Sequence, residues 1–313
     1  MRGAAPVVMV TGATSGIGRA VARRTARTGV HLVLVARDGE ALGEVAQECE
    51  ELGAAGACAE AIDIGDDTAV AGTVRRTLER EGRLDAVVNS AGVVAYGALP
   101  AVPVDVFDAV LRTNLLGAAN LARHVLPIYR AQGRGHLVLV GSVLGHLAVP
   151  GMTAYIVSKW GVRALARQLV LENRDLAHVH VSCVSPGGVD TPIYEQAANY
   201  LGMRGRPPAP VSSPEHVAGA ILRVLERPRD RRQVGPANGV MRAGFTFLPH
   251  VYDALVAPLF EVAALDRTTR VPPGPGRVLA PASDGHTLHG NQPGPLVAVG
   301  RNLAALLREG RRR

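Results

Sequence analysis

The sequence predicts an α/β protein built on a doubly wound parallel sheet of about seven strands, followed by a C-terminal helical extension. Three observations lead there. Short, nearly all-apolar runs alternate with longer helix-like stretches through the first 235 or so residues. The first run leads straight into a glycine-rich loop that opens a helix. Beyond about residue 236 the chain changes character, and 14 of its 21 prolines lie in 201–313.

The predicted strands are Val7–Thr11, His31–Ala36, Ala57–Ile62, Asp85–Ser90, His136–Gly141, Val179–Val184 and, weakly, Arg232–Gly235. Their continuous apolar character suits strands buried on both faces. Between them, helical patterns run over about 16–29, 38–52, 66–81, 105–130, 153–176 and 213–227, and right-handed crossovers then place helices on both faces of the sheet. Ser213 and Pro214 form an N-cap and first-position pair. Residues 1–236 are thus expected to form one Rossmann-type domain. Residues 237–271 are expected to add short helices that cover the body or the active site, because Pro249 and Pro258 interrupt the apolar stretch Phe245–Leu265. Residues 272–313 read as a Pro/Gly-rich and Arg-rich tail.

Composition narrows the classes of function. With 313 residues, 47% hydrophobic and 19% charged, the chain is not disordered. Its 36 glycines show no three-residue period, which excludes collagen. Aromatic residues at 4% argue against a base-stacking nucleic-acid binder, and no run of 18 apolar residues predicts a membrane span. The N-terminal apolar run enters a glycine loop, so it reads as a strand and not a signal peptide. Cys49, Cys58 and Cys183 lack paired spacing, so neither a disulfide framework nor a metal site is expected and a reducing cytoplasm fits. Charge is uneven. Residues 1–200 carry 18 basic and 19 acidic side chains, while 201–313 carry 16 and 8. A solvated Arg-rich tail is the favoured reading; peripheral contact with an anionic membrane is the other. Among 34 basic residues Lys159 is the single lysine, which suggests that an ammonium is needed there and a guanidinium is not.

The loop Thr11-Gly12-Ala13-Thr14-Ser15-Gly16-Ile17-Gly18 has the context of a dinucleotide site. Gly12 permits a tight turn, Gly16 lets the backbone approach a pyrophosphate, and Gly18 lets helix and strand pack closely. At the end of the second strand, where NAD-preferring proteins place a carboxylate, stand Ala36 and Arg37. A guanidinium there pairs with a 2′-phosphate, so NADP is expected over NAD. Asp38 also offers a carboxylate, but as the cap of the next helix.

These motifs, with those that follow, make residues 6–236 resemble the short-chain dehydrogenase/reductase family in its TGxxxGxG form. Asp63-Ile64 resembles the pair that touches adenine. Asn89-Ser90-Ala91-Gly92 resembles NNAG, with Ser90 as a departure. Asn114 matches the helix asparagine, and Ser142 the catalytic serine, here preceded by Gly141. Tyr155 and Lys159 form YxxxK, while Pro186, Gly187, Val189 and Thr191 fall in PGxVxT. The resemblance implies cofactor contacts along these motifs and a catalytic set of Asn114, Ser142, Tyr155 and Lys159. Four residues apart on a helix, Tyr155 and Lys159 share a face. A nearby ammonium and a positive nicotinamide would draw the phenol pKa down toward the working range. Ser142, at a strand's carboxyl end, is placed to polarise a substrate carbonyl. Asn114 resembles the residue that holds a relay water.

Segments 143–152 and 193–206 are expected to line the substrate side with Leu144, Leu147, Val149, Met152, Ile193, Tyr194, Tyr200, Leu201 and Met203, of which Leu144 and Tyr194 are the foremost candidates. Apolar walls point to a hydrophobic ketone or aldehyde and its alcohol. A ketoreductase of carrier-bound acyl chains and a non-catalytic NADP-binding sensor are the alternatives. His146 sits near the expected mouth. The helices at 105–130 and 153–176 carry extra apolar residues, and the resembling family pairs such helices into homodimers or homotetramers.

Overall fold

The computed structural model describes residues 5–281, 285–291, 300 and 302. Its centre is a seven-stranded parallel sheet of β1 (Val7–Thr11), β2 (His31–Ala36), β3 (Gly56–Ala61), β4 (Ala86–Asn89), β5 (Gly135–Val140), β6 (Val179–Pro186) and β7 (Arg231–Val234). The spatial order is β7-β6-β5-β4-β1-β2-β3, and every expected strand is present. Each residue of β1, β4 and β5 is buried, as their largely apolar sequences require of central strands.

Helices α1 (Gly16–Ala26), α2 (Gly39–Glu51) and α3 (Asp67–Glu81) follow the first three strands. Next come α4 (Val104–Leu111), α5 (Gly117–Gln132), α6 (Thr153–Glu172) and α7 (Pro214–Glu226). Val21, Leu42 and Ile221 pack α1, α2 and α7 on one face of the sheet. Val74, Leu121 and Val162 pack α3, α5 and α6 on the other. Asp38 caps α2 by accepting the Ala41 N–H at 3.1 Å, and Ser213 caps α7 through the His216 N–H at 3.1 Å.

The stretch expected as one helix over 105–130 is divided. A π-helical turn, Arg112–Leu116, joins α4 to α5 and carries Asn114. Such wide turns recur at functional sites because they redirect a side chain without breaking the helix.

The C-terminal third departs most from expectation. Helices α8 (Asn238–Phe247) and α9 (Pro249–Ala264) are present, but Leu265–Arg270, assigned to the helical extension, is a strand paired antiparallel with Met203–Gly205. Pro249 opens α9, where a missing N–H is no loss. Pro258 lies inside α9 without ending it, because the Ala254 position, whose carbonyl loses its partner, is exposed to solvent. The buried Arg206 guanidinium pins the end of α9, donating to Val262 O at 2.5 Å and Leu265 O at 3.0 Å. Residues 272–281 are mostly exposed, but Val278 is buried in an apolar cluster with Ala95, Val106 and Ala154 and ties the segment to the body. Apart from residues 300 and 302, the Arg-rich tail beyond 291 lies outside the described residues. No helix among the described residues is long and apolar enough to cross a membrane.

Candidate active site

Strand order reverses between β1 and β4, and a cleft opens there beyond the strand carboxyl ends. Of the expected cofactor residues, Gly12, Thr14, Ser15, Arg37, Asp63, Ile64, Ala91 and Gly92 line it. Counting its open mouth it encloses about 820 Å³. The loop has the shape a phosphate cradle needs. Gly16 adopts φ +49°, and a Cβ on Gly18 would lie 2.1 Å from Gly12 O, so only glycine permits this approach.

The remaining motif residues stand behind the lining. Ile17 packs on the core, and Thr191 lies against Gly16, with its Cγ2 2.9 Å from where a Gly16 Cβ would be. Asn89 is buried and accepts the Thr11 hydroxyl at 2.7 Å, which ties β4 to β1. Pro186 ends β6, the Gly187 N–H donates to Val234 O at 2.8 Å, and Val189 is buried in the core. These residues frame the cleft and do not line it. The lining that sequence reasoning missed comes from farther along the chain: Gln196, Arg277, Pro281 and His286. Only the folded tail brings the last three there.

Arg37 projects from the end of β2 with its guanidinium half-buried. Burial lowers its pKa and neighbouring Asp63 opposes that fall. Asp38 is engaged elsewhere. The Ala41 N–H, followed by His286, holds its carboxyl below the usual range.

The cleft floor adjoins the expected catalytic set at Gly92. A Cβ there would be 3.2 Å from Asn114 Oδ1 and 3.7 Å from Lys159 Nζ. Tyr155 and Lys159 stand one turn apart near the start of α6, and Ser142 directly follows β5. The Ser142 hydroxyl lies near the Tyr155 phenol, and its Oγ accepts the Leu144 N–H at 3.1 Å. Lys159 Nζ is buried, donates to Val140 O at 3.0 Å and sits 5.7 Å from the centre of the Tyr155 ring. Asn114 accepts the Val93 N–H at 2.8 Å and donates to Val93 O and Ser158 Oγ, each at 2.9 Å. It thereby braces the loop after β4 against α6.

The electrostatics correct one expectation. Burial raises the Tyr155 pKa, with the nearby Ser142 hydroxyl opposing. Burial also pulls Lys159 down from 10.5 to about 8. The chain's own residues therefore hold Tyr155 as a neutral phenol, the form that donates a proton, and a large fall in its pKa has to come from a bound positive charge.

On the other side of Tyr155, Leu144, Val149, Met152, Ile193, Tyr194, Leu201 and Met203 gather in one apolar cluster. Val94, Tyr96, Leu265 and Phe260 of α9 join them and were not expected. Phe260 is legible only as part of an apolar stretch, and which wall it reaches depends on how α9 folds back. Leu147 is buried elsewhere, beneath Trp160, and Tyr200 packs with Val102 and Phe107. His146 is not at a substrate mouth. It bonds Ser185 Oγ at 3.3 Å and Gln233 Nε2 at 2.9 Å beneath β6 and β7.

Comparison with known proteins agrees with this geometry. A sequence model of the family described as short chain dehydrogenase matches residues 6–200. The protein named dehydrogenase/reductase SDR family member 7B of Bos taurus is 33% identical over 230 residues, covering 70% of this chain and 70% of its own. Oxidoreductase UcpA of Escherichia coli O157:H7 is 34% identical over 230 residues, covering 72% of this chain and 83% of its own. Among solved structures, a short-chain dehydrogenase from Streptomyces avermitilis matches with TM-score 0.67 and 26% identity over 80% of this chain and 94% of that one. An alcohol dehydrogenase from the archaeon Thermococcus sibiricus, complexed with 5-hydroxy-NADP, matches with TM-score 0.63 and 29% identity over 73% and 94%.

Proposed function

The chain belongs to the short chain dehydrogenase family of oxidoreductases, and from that premise we propose that it interconverts a hydrophobic ketone or aldehyde and its alcohol with NADP(H). The observation that carries the reading is the grouping of Ser142 and Tyr155, with buried Lys159 behind them, against the cleft floor at Gly92. A bound nicotinamide supplies or accepts the hydride. Ser142 donates a hydrogen bond to the carbonyl oxygen as negative charge develops there. Tyr155, held as a neutral phenol, delivers its proton to that oxygen. Lys159 exchanges protons in the neutral range and stabilises the phenolate left behind. Asn114 fixes the distance between the cleft loop and α6.

NADP is preferred because Arg37 supplies a cation at the end of β2, while Asp38, the carboxylate that follows it in the chain, is spent on the cap of α2 and on His286. The apolar cluster around Tyr155 and Tyr194 selects a hydrophobic substrate. Exposed Val157, Trp160 and Leu171 on α6 support self-association, and three unpaired cysteines suit a reducing cytoplasm. The test is NADPH consumption with a panel of hydrophobic ketones. Tyr155→Phe should cut the rate by about 10²–10⁴-fold, and a Tyr155→Phe protein that reduces ketones at full speed overturns the reading.

A further inference from the structure

Residues 277–281 and 285–291 lie beyond the region that matches the family, yet they run along the dinucleotide cleft. Their backbone oxygens face the donors there. The Gly16 N–H donates to Thr287 O at 2.9 Å, the Arg19 guanidinium to His286 O at 2.5 Å, and the Arg37 guanidinium to Arg277 O at 2.7 Å and Val278 O at 3.2 Å. The first two donors belong to the start of α1, where a helix N-terminus attracts phosphate. A backbone carbonyl there stands in for a phosphate oxygen, and the one hydrogen of Gly16 cannot serve both.

The two ends of this segment are held differently. At 277–278 the anchor is apolar, with Val278 2% exposed in its cluster. Arg37 has five N–H donors, so it can keep these carbonyls and still meet a phosphate. At 285–291 the hold is mostly polar and near the surface, with Leu288 half-buried against the core. His289 bridges Asp190 at 2.9 Å and Glu215 at 3.0 Å, and the Gly290 N–H donates to Asp190 Oδ1 at 3.1 Å. Polar contacts at an exposed site are the cheaper ones to exchange for water.

We propose that residues 285–291 are a latched strap that competes with the dinucleotide for the phosphate donors of the glycine loop, and that the strap lifts about its anchor at Val278 as cofactor binds. The inference rests on the reading of the cleft as a cofactor site, and it adds a built-in cost to occupying that site. Opening the latch should raise the fraction of molecules competent to bind and tighten apparent affinity in proportion.

Two variants loosen the strap without replacing a cofactor or catalytic residue. His289→Ala removes the bridge. Gly290→Ala places a Cβ 2.9 Å from Thr191 O and pushes the same limb outward. Calorimetric titration of the full chain with NADP⁺ and with NAD⁺ should show both variants binding each dinucleotide about three- to tenfold more tightly. Hydrogen exchange in 285–291 should quicken when NADP⁺ binds, while 277–281 stays protected. Slower exchange in 285–291 with cofactor, or weaker binding by the variants, would make the limb a wall of the site and overturn the proposal, as would no change in either measurement. Tightening of both dinucleotides with no preference between them would refute the role given to Arg37 and leave the strap standing. Failure of every one of these proteins to bind either dinucleotide would refute both.

Discussion

Replacing Lys159 by methionine keeps the reach of the side chain and removes its charge. Burial lowers the lysine from 10.5 to about 8, and each pKa unit is worth about 1.36 kcal/mol. Holding the ammonium in the folded protein at pH 7 therefore costs about 3 kcal/mol relative to the unfolded chain. The sign follows from linkage. The unfolded chain binds more protons between the two pKa values, so stability rises as pH climbs from about 8 to 10.5 and is reduced below that window. Methionine removes the cost but leaves Val140 O without its 3.0 Å partner, a loss of about 1–2 kcal/mol. Lys159→Met should thus be more stable than the parent by about 1–2 kcal/mol at pH 7 and less stable near pH 10.5, while turnover collapses. Urea unfolding across that pH range measures the difference. A variant less stable than the parent at pH 7, or a difference that does not move with pH, would refute the reasoning.

Arg37→Ala should weaken NADPH more than NADH, by an extra contribution of about 1.5–3 kcal/mol; equal losses in titrations with the two would mean that Arg37 does not read the phosphate. His136 and His146, both buried, are pulled from 6.5 to about 4, chiefly by desolvation. They stay neutral in the fold while the unfolded chain protonates. Their stabilisation is thus complete above about pH 6.5 and is lost as pH falls toward 4, by about 3 kcal/mol for each. Urea midpoints at pH 7 and 4.5 would show the fall, and His136→Asn should flatten part of it. Light scattering at micromolar concentration should give a multiple of the 32.7 kDa chain mass, and a monomer would remove the role assigned to the exposed face of α6.

The sheet was legible because a strand buried on both faces is apolar along most of its length, and β1, β4 and β5 are so apart from Thr11, Asn89 and His136. The glycine loop and the Tyr155–Lys159 pair were legible for a related reason, since their chemistry is local: a left-handed glycine, a close approach, two side chains one helical turn apart. Asn114 could be placed in a helix by its pattern, but the π-helical turn that aims it could not, because periodicity does not register one extra residue in a turn.

Local patterns determined the fold class and the position of the dinucleotide cleft, and the resemblance to the short-chain dehydrogenase/reductase family pointed to the residues around Gly92. Tertiary structure alone decided what surrounds them. Phe260 reaches the Tyr155 cluster only because Arg206 pins α9 where it does, and Thr287 reaches Gly16 only because Val278 is anchored behind Arg37. Contacts across hundreds of residues depend on how the whole chain closes, and short-range periodicity carries no record of that closure. The same holds for the Tyr155 and Lys159 pKa values, which depend on how much water the assembled fold excludes.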